Sequence, residues 1–216
     1  MHIFLLLRNC TSVVGQGRPS LTVVPQQDWG SKMSSGSADA SPIGVPRYAQ
    51  LFLEGLKEAN VSIVAAVPES LLAGIYRECA RDNAIRYIAA SNEAELPGIV
   101  VGAYVTGKRA LMVMENSGIR QACEPIARLA FTHQMPMVIV MSFRGELGER
   151  NYWGHNHAQT MEPALDALRI PYRFVSKLDE IKPSIKKAFH HADASQWPVA
   201  LAMTGECVEA PRYATT

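Results

Sequence analysis

Two short stretches carry residue types that can do chemistry together. Glu93 stands at the start of the segment 91–105, SNEAELPGIVVGAYV, and Asn116, Ser117 and Gly118 form a polar corner just after the apolar run 110–114. If that run is a strand of an open parallel sheet and Glu93 begins the helix before it, both fall on the edge where strand carboxyl ends lie. That is the edge at which α/β domains bind ligands. An acid there can share a proton with a ligand, and the corner can offer backbone N–H groups, an amide and a hydroxyl. Each residue also has a plain structural use. Asn92 and Glu95 are spaced as a capping box, an acid such as Glu93 near a helix N-terminus is favoured by the dipole, and Ser117 suits an N-cap of the next helix.

The elements that must position these groups follow from hydrophobic periodicity. Pro46 suits a first helical position, and Tyr48, Leu51, Phe52, Leu56 and Ala59 mark one helical face. Continuous apolar runs at 61–67, 110–114, 137–141 and 199–203 read as strands covered on both faces, with shorter strands at 87–90 and 172–175. Between them lie a helix with Leu71, Leu72, Ile75 and Cys79 inward, an amphipathic helix after Glu93, and helices at 119–131, 161–168 and 178–192. Pro125 inside the helix at 119–131 predicts a kink or a late start. This alternation predicts an α/β fold: a doubly wound, six-stranded, mostly parallel sheet with helices on both faces. The domain is expected over 45–205, after an unstructured leader at 1–44 rich in Gly, Ser, Pro and Gln and before a patternless tail at 206–216. Met33 offers an alternative start.

Composition removes several functions. A chain of 216 residues, 48% hydrophobic and 19% charged, suits one ordinary globular domain. A net charge of +1 without a basic cluster argues against a general grip on nucleic acid or membrane. The N-terminal MHIFLLLRNC is too short in apolar residues to span a bilayer. Cys10, Cys79, Cys123 and Cys207 form no CxxC pair, so neither a metal site nor a disulfide framework is expected, and a reducing cytoplasm is. Cys79 and Cys123 read as small core residues. Neither the dinucleotide fingerprint nor a phosphate loop occurs. The long polar stretch SFRGELGERNYWGHNHAQT reads as a functional loop. His155 and His157 lack a third metal ligand there, whereas Arg144, Arg150, His155 and His157 offer cations to an anionic ligand.

Four short motifs in order, VPES, NEAELPGIVVGAYV, ENSG and SFRGE, resemble the pyrimidine-binding domain of thiamine-diphosphate enzymes. Within that family the similarity is greatest to the alpha subunits of sulfopyruvate decarboxylases and the matching half of phosphonopyruvate decarboxylases. It runs from about Arg47 to Met203. VPES stands where the family has Val-Pro-Asp/Cys-Ser, and ENSG where it has Gln-Asn-Ser-Gly, so Glu115 is a departure that bears on the substrate. The resemblance implies that Glu93 hydrogen-bonds the cofactor's aminopyrimidine and sets its protonation, while the cofactor accepts the electrons released as carbon dioxide leaves a 2-oxo acid. It implies Asn116, Ser117 and Gly118 beside the cofactor, and Arg144, His155 and His157 toward an anionic substrate. Sulfopyruvate is the expected substrate and phosphonopyruvate the alternative; a non-catalytic assembly module of the same fold would have had no reason to keep Glu93. The sequence contains no Gly-Asp-Gly, the family's diphosphate motif. Thiamine diphosphate and Mg2+ are therefore expected to be held mainly by a separate beta subunit in a hetero-oligomer.

Overall fold

The computed structural model describes residues 44–209, all within one compact unit. Of the expected leader only Gly44 falls among them, and Met33, Cys10 and the end of the tail lie outside. Six helices alternate with six strands: α1 (Arg47–Glu58), β1 (Ile63–Ala66), α2 (Ala73–Arg81), β2 (Arg86–Ala89), α3 (Leu96–Val105), β3 (Ala110–Glu115), α4 (Ile119–His133), β4 (Val138–Ser142), α5 (Tyr152–Ala167), β5 (Tyr172–Val175), α6 (Ile181–Ser195) and β6 (Val199–Met203). The strands form one sheet in the order β2-β1-β3-β4-β6-β5, and every neighbouring pair is parallel. The chain leaves β1 for β2 on one side and returns to β3 on the other. A crevice therefore opens between the carboxyl ends of β1 and β3, the switch point at which such sheets bind ligands.

Period-two alternation sorts the strand residues between two cores. Val64, Ala66, Leu111, Val113, Val140 and Leu201 face α1, α2 and α6, whereas Ala65, Met112, Met114, Ile139, Met141 and Ala202 face α3, α4 and α5. Both faces are covered, so β1, β4 and β6 are buried at every position, which is why they read as unbroken apolar runs. On α1 the inward stripe is Tyr48, Ala49, Phe52 and Leu56. Gly55 lets α6 come close, since a Cβ there would meet Ile185 Cδ1 at 2.9 Å.

Several local expectations change. The segment after Glu93 is a 3-10 turn (Glu93–Glu95) followed by α3, which is apolar all round rather than amphipathic, with Leu96, Val100 and Val101 buried but Tyr104 and Val105 exposed. Helix α4 runs unbroken from Ile119 through Pro125, so the start is not late. Helix α5 begins nine residues before the expected 161, taking in half of the supposed loop; its inner side there mixes Trp153, Gly154, His157 and Ala158, which give no continuous stripe of large apolar residues. The packed chain continues past Gly205: Cys207 is buried and the Glu209 N–H donates to the Leu71 carbonyl at 2.7 Å.

Tyr48 joins three of these segments. Its hydroxyl accepts from the Gly74 N–H at 3.0 Å and donates to Glu209 Oε1 at 3.2 Å. Burial, above all, pushes its phenol pKa well up, so the hydroxyl stays protonated. Tyr48→Phe leaves the buried Gly74 N–H without a partner, and the expected loss is about 1–3 kcal/mol. Urea unfolding of the purified chain should show a lower midpoint with unchanged slope; an unshifted midpoint would mean that water replaces the phenol.

Candidate active site

Glu93 and the corner after β3 meet at the switch point. Asn92 starts the 3-10 turn with its side chain accepting from the Ala94 N–H at 2.8 Å, and Glu95 takes the Ser91 hydroxyl at 2.9 Å. The expected reciprocal capping box is thus replaced by two separate local bonds. Glu93 is half-buried and lies across Gly118, where an added Cβ would come 2.5 Å from Glu93 Cγ and 2.9 Å from Oε1. Only a residue without a side chain leaves that space. Among the described residues the Glu93 carboxylate has no hydrogen bond or ion pair, so it is available to a ligand.

The rest of the corner is turned inward. Asn116 is fully buried, and both ends of its amide are used on the backbone of Arg144: Nδ2 donates to the carbonyl at 3.0 Å and Oδ1 accepts from the N–H at 3.3 Å. Ser117 does not cap α4; its hydroxyl donates to Glu115 Oε1 at 2.9 Å. Arg144, just past the end of β4, is only 4% exposed. Its Nε donates to Glu115 Oε2 at 2.8 Å, Nη2 donates to Ser70 Oγ at 2.8 Å, Nη1 lies 3.9 Å from Glu149 Oε2, and the guanidinium sits 4.9 Å from the centre of the Trp153 ring. Gly145 (φ +99°) makes the loop possible, since a Cβ there would strike Ala158 Cβ and the Gly154 carbonyl at 2.5 Å.

The two histidines part company. His155 is exposed on α5, whereas His157 turns inward, its Nδ1 3.0 Å from Glu115 Oε1 but out of line for a proper hydrogen bond. Burial, chiefly, lowers the His157 pKa, with the charges of Arg120 and Arg144 adding and Glu115 opposing. At Glu149 burial works against the charge, yet backbone N–H groups of Asn151 and Gly145 and the Arg144 guanidinium outweigh it and hold the carboxyl below its ordinary range. Glu69 goes the other way. Burial pushes it up and the charge of Glu115 adds, although its carboxylate accepts from the N–H groups of Leu71 and Leu72 at 2.6 and 2.8 Å. Among the described residues no three His, Cys, Asp or Glu side chains are grouped to hold a metal ion, and no helix is long and apolar enough to cross a membrane.

Sequence reasoning singled out Glu93, the corner, Arg144 and the histidines, but it missed Ser70, Glu149 and Trp153, which surround Arg144. VPES and the Arg-Gly-Glu run point to two of these neighbourhoods; Trp153 carries no signal in the sequence because the polar first half of α5 reads as part of a loop.

The chain is thus a doubly wound parallel α/β domain with an unpartnered acid at its switch point, the edge at which such sheets bind ligands. No family model matches the chain. It is 33% identical over 146 residues to sulfopyruvate decarboxylase subunit alpha of Methanocaldococcus jannaschii, covering 68% of this chain and 86% of the relative. To the same subunit of Methanococcus maripaludis it is 28% identical, covering 68% and 89%. Phosphonopyruvate decarboxylase of Streptomyces hygroscopicus is 29% identical over 104 residues, but these are 48% of this chain and only 26% of that longer protein. The chain belongs to the thiamine-diphosphate-dependent decarboxylase family, in the group of pyrimidine-binding domains formed by sulfopyruvate decarboxylase alpha subunits and their phosphonopyruvate counterparts.

Two predictions test the cluster. Arg144→Gln leaves the half-buried Glu115 and Glu149 without their buried cation and should cost up to about 3–5 kcal/mol of folding stability. Glu115→Gln should cost less, because an amide oxygen still accepts from Nε. Chemical denaturation reads both; a loss in Arg144→Gln below that in Glu115→Gln would mean that solvent reaches the guanidinium.

The second prediction concerns pH. His157 takes up its proton at lower pH in the fold than in the unfolded chain, so its contribution is complete above about 6.5 and is lost on acidification. Glu149, also depressed, contributes above the ordinary carboxylate pKa and is lost at still lower pH, as its folded value is passed. The melting temperature should therefore begin to fall below about pH 6.5, and His157→Gln should remove that first shoulder while leaving the acid limb. Identical profiles would show that His157 titrates alike in both states.

Proposed function

We propose that the chain is the alpha subunit of a cytoplasmic thiamine-diphosphate-dependent 2-oxo acid decarboxylase that converts sulfopyruvate to sulfoacetaldehyde and carbon dioxide. In this reading a beta subunit holds the diphosphate and Mg2+, and the active enzyme is a hetero-oligomer. The observation that carries the reading is Glu93 laid across Gly118 with a carboxylate that nothing in the described chain engages. When bound, thiamine diphosphate supplies the electron sink that lets carbon dioxide depart. Glu93 would hold a proton against the N1′ nitrogen of the aminopyrimidine. Gly118 would leave room for the carboxylate, and the backbone of Asn116 and Ser117 would line the ring. Arg144 and Asn116 would keep the corner in place, and His157, neutral beside Glu115, would border the substrate. His155, facing solvent, takes no part.

A second reading, phosphonopyruvate as substrate, is supported by the similarity to phosphonopyruvate decarboxylases over about half of this chain. The two substrates differ only in the distal anion, so one machinery would serve both.

The test is Glu93→Gln in the complex with the beta subunit. Gln has nearly the same shape but cannot share a proton with the ring nitrogen. Turnover should fall on the order of 100-fold, the scale of lost acid–base assistance. Assembly and melting temperature should stay near wild type. Glu95→Gln is the control and should remain active, since Glu95 engages only Ser91. Normal turnover in Glu93→Gln, or carbon dioxide release by neither protein from any 2-oxo acid, would overturn the reading.

A further inference from the structure

Arg144 lies two residues past the carboxyl end of β4, beside the corner, yet its charge is already committed. Glu115 and Glu149 both face it, and His157 is biased toward its neutral form. Two carboxylates around one guanidinium leave this cluster negative. An anionic substrate approaching the corner would meet that charge, so recognition of a second anionic group there calls for a further cation.

Arg120 has this place. It lies on the first turn of α4, two residues past Gly118, and is exposed. Its Nε donates to the Ser117 carbonyl at 3.2 Å and its Nη1 to Thr160 Oγ1 at 3.2 Å; Thr160 in turn donates to the Asn156 carbonyl at 2.8 Å. The guanidinium is thus tethered between the corner and α5 by neutral oxygens. Among the described residues it forms no ion pair, and its Nη2 edge has no hydrogen-bond partner. A guanidinium fixed through two nitrogens, with its remaining N–H groups open, suits the parallel oxygens of a sulfonate, phosphonate or carboxylate. Its charge also opposes protonation of His157, whose Nδ1 lies 3.0 Å from Glu115 Oε1.

We infer that Arg120 is the residue that selects substrates with a second anionic group, binding the distal sulfonate or phosphonate at the rim of the Glu93 corner. This rests on the decarboxylase reading for the identity of the substrate, but the anion site itself does not require turnover. It also gives Arg144 a positioning role and places recognition on an arginine that no motif marked.

The test uses the complex with the beta subunit and the variants Arg120→Gln and Arg120→Lys. For sulfopyruvate and phosphonopyruvate, Arg120→Gln should raise KM by about tenfold or more with kcat little changed, the pattern of lost binding common to ground and transition states. For pyruvate, which lacks the distal anion, KM should change by less than about twofold, and Arg120→Lys should restore part of the loss because it keeps the charge without the fork. Calorimetric titration with sulfoacetate, a non-reacting dianion, provides a readout free of catalysis: Arg120→Gln should bind it about tenfold more weakly than wild type. Equal KM changes for pyruvate and the dianions, or absent or equal sulfoacetate binding in the two proteins, would overturn the role of Arg120. A complex that releases carbon dioxide from no 2-oxo acid yet loses sulfoacetate binding in Arg120→Gln would overturn the decarboxylase reading and leave the anion site standing.

Discussion

A guanidinium only 4% exposed has given up most of its hydration, and the fold around Arg144 is the arrangement that replaces it. Removing a charge from water costs several kcal/mol even after relaxation, so partners must come from wherever the chain can bring them. They come from four places: Ser70 after β1, Glu115 at the end of β3, Glu149 in the loop after β4 and Trp153 in the first turn of α5. The Asn116 amide then clasps the Arg144 backbone in both directions. One buried charge thus fixes the carboxyl ends of three neighbouring strands relative to one another, at the edge where the sheet opens.

That bracing leaves the corner after β3 divided. Asn116 and Ser117 spend their side chains on Arg144 and Glu115, and what they can still offer a ligand is backbone. Gly118 contributes by having no side chain. Glu93, which arrives on a 3-10 turn from the far side of β1, fills the space so created. A tightly braced floor carries an acid held only by packing, and such an acid can shift without disturbing the sheet.

Glu115 alters the electrostatics of this edge. With a neutral amide at that position, as in the family's usual Gln-Asn-Ser-Gly, Arg144 would keep more of its positive field for the substrate. A carboxylate at 115 takes much of that field, and Glu149 takes more. On the reading advanced above, recognition of the distal anion then passes to the rim, where Arg120 is hydrogen-bonded only by neutral oxygens.

By itself the sequence determined the α/β class, the alternation of helix and strand, the acid at 93 and the corner at 116–118, because apolar period and turn chemistry are local properties. Element ends were less legible. The start of α5 is hidden because its inner side, with Gly154, His157 and Ala158 beside Trp153, carries no stripe of large apolar residues, and α3 misleads because a helix apolar all round has no face to read. Only the tertiary structure decided how the charges pair. Arg144, Glu115 and Glu149 are chemically open in sequence, and Arg120 looks like any surface arginine on a helix. Their roles separate because burial strips water from Arg144 and forces it onto carboxylates, while Arg120, still hydrated, faces only a carbonyl and a hydroxyl. Desolvation depends on what the rest of the chain packs around a group, and no local spacing encodes it.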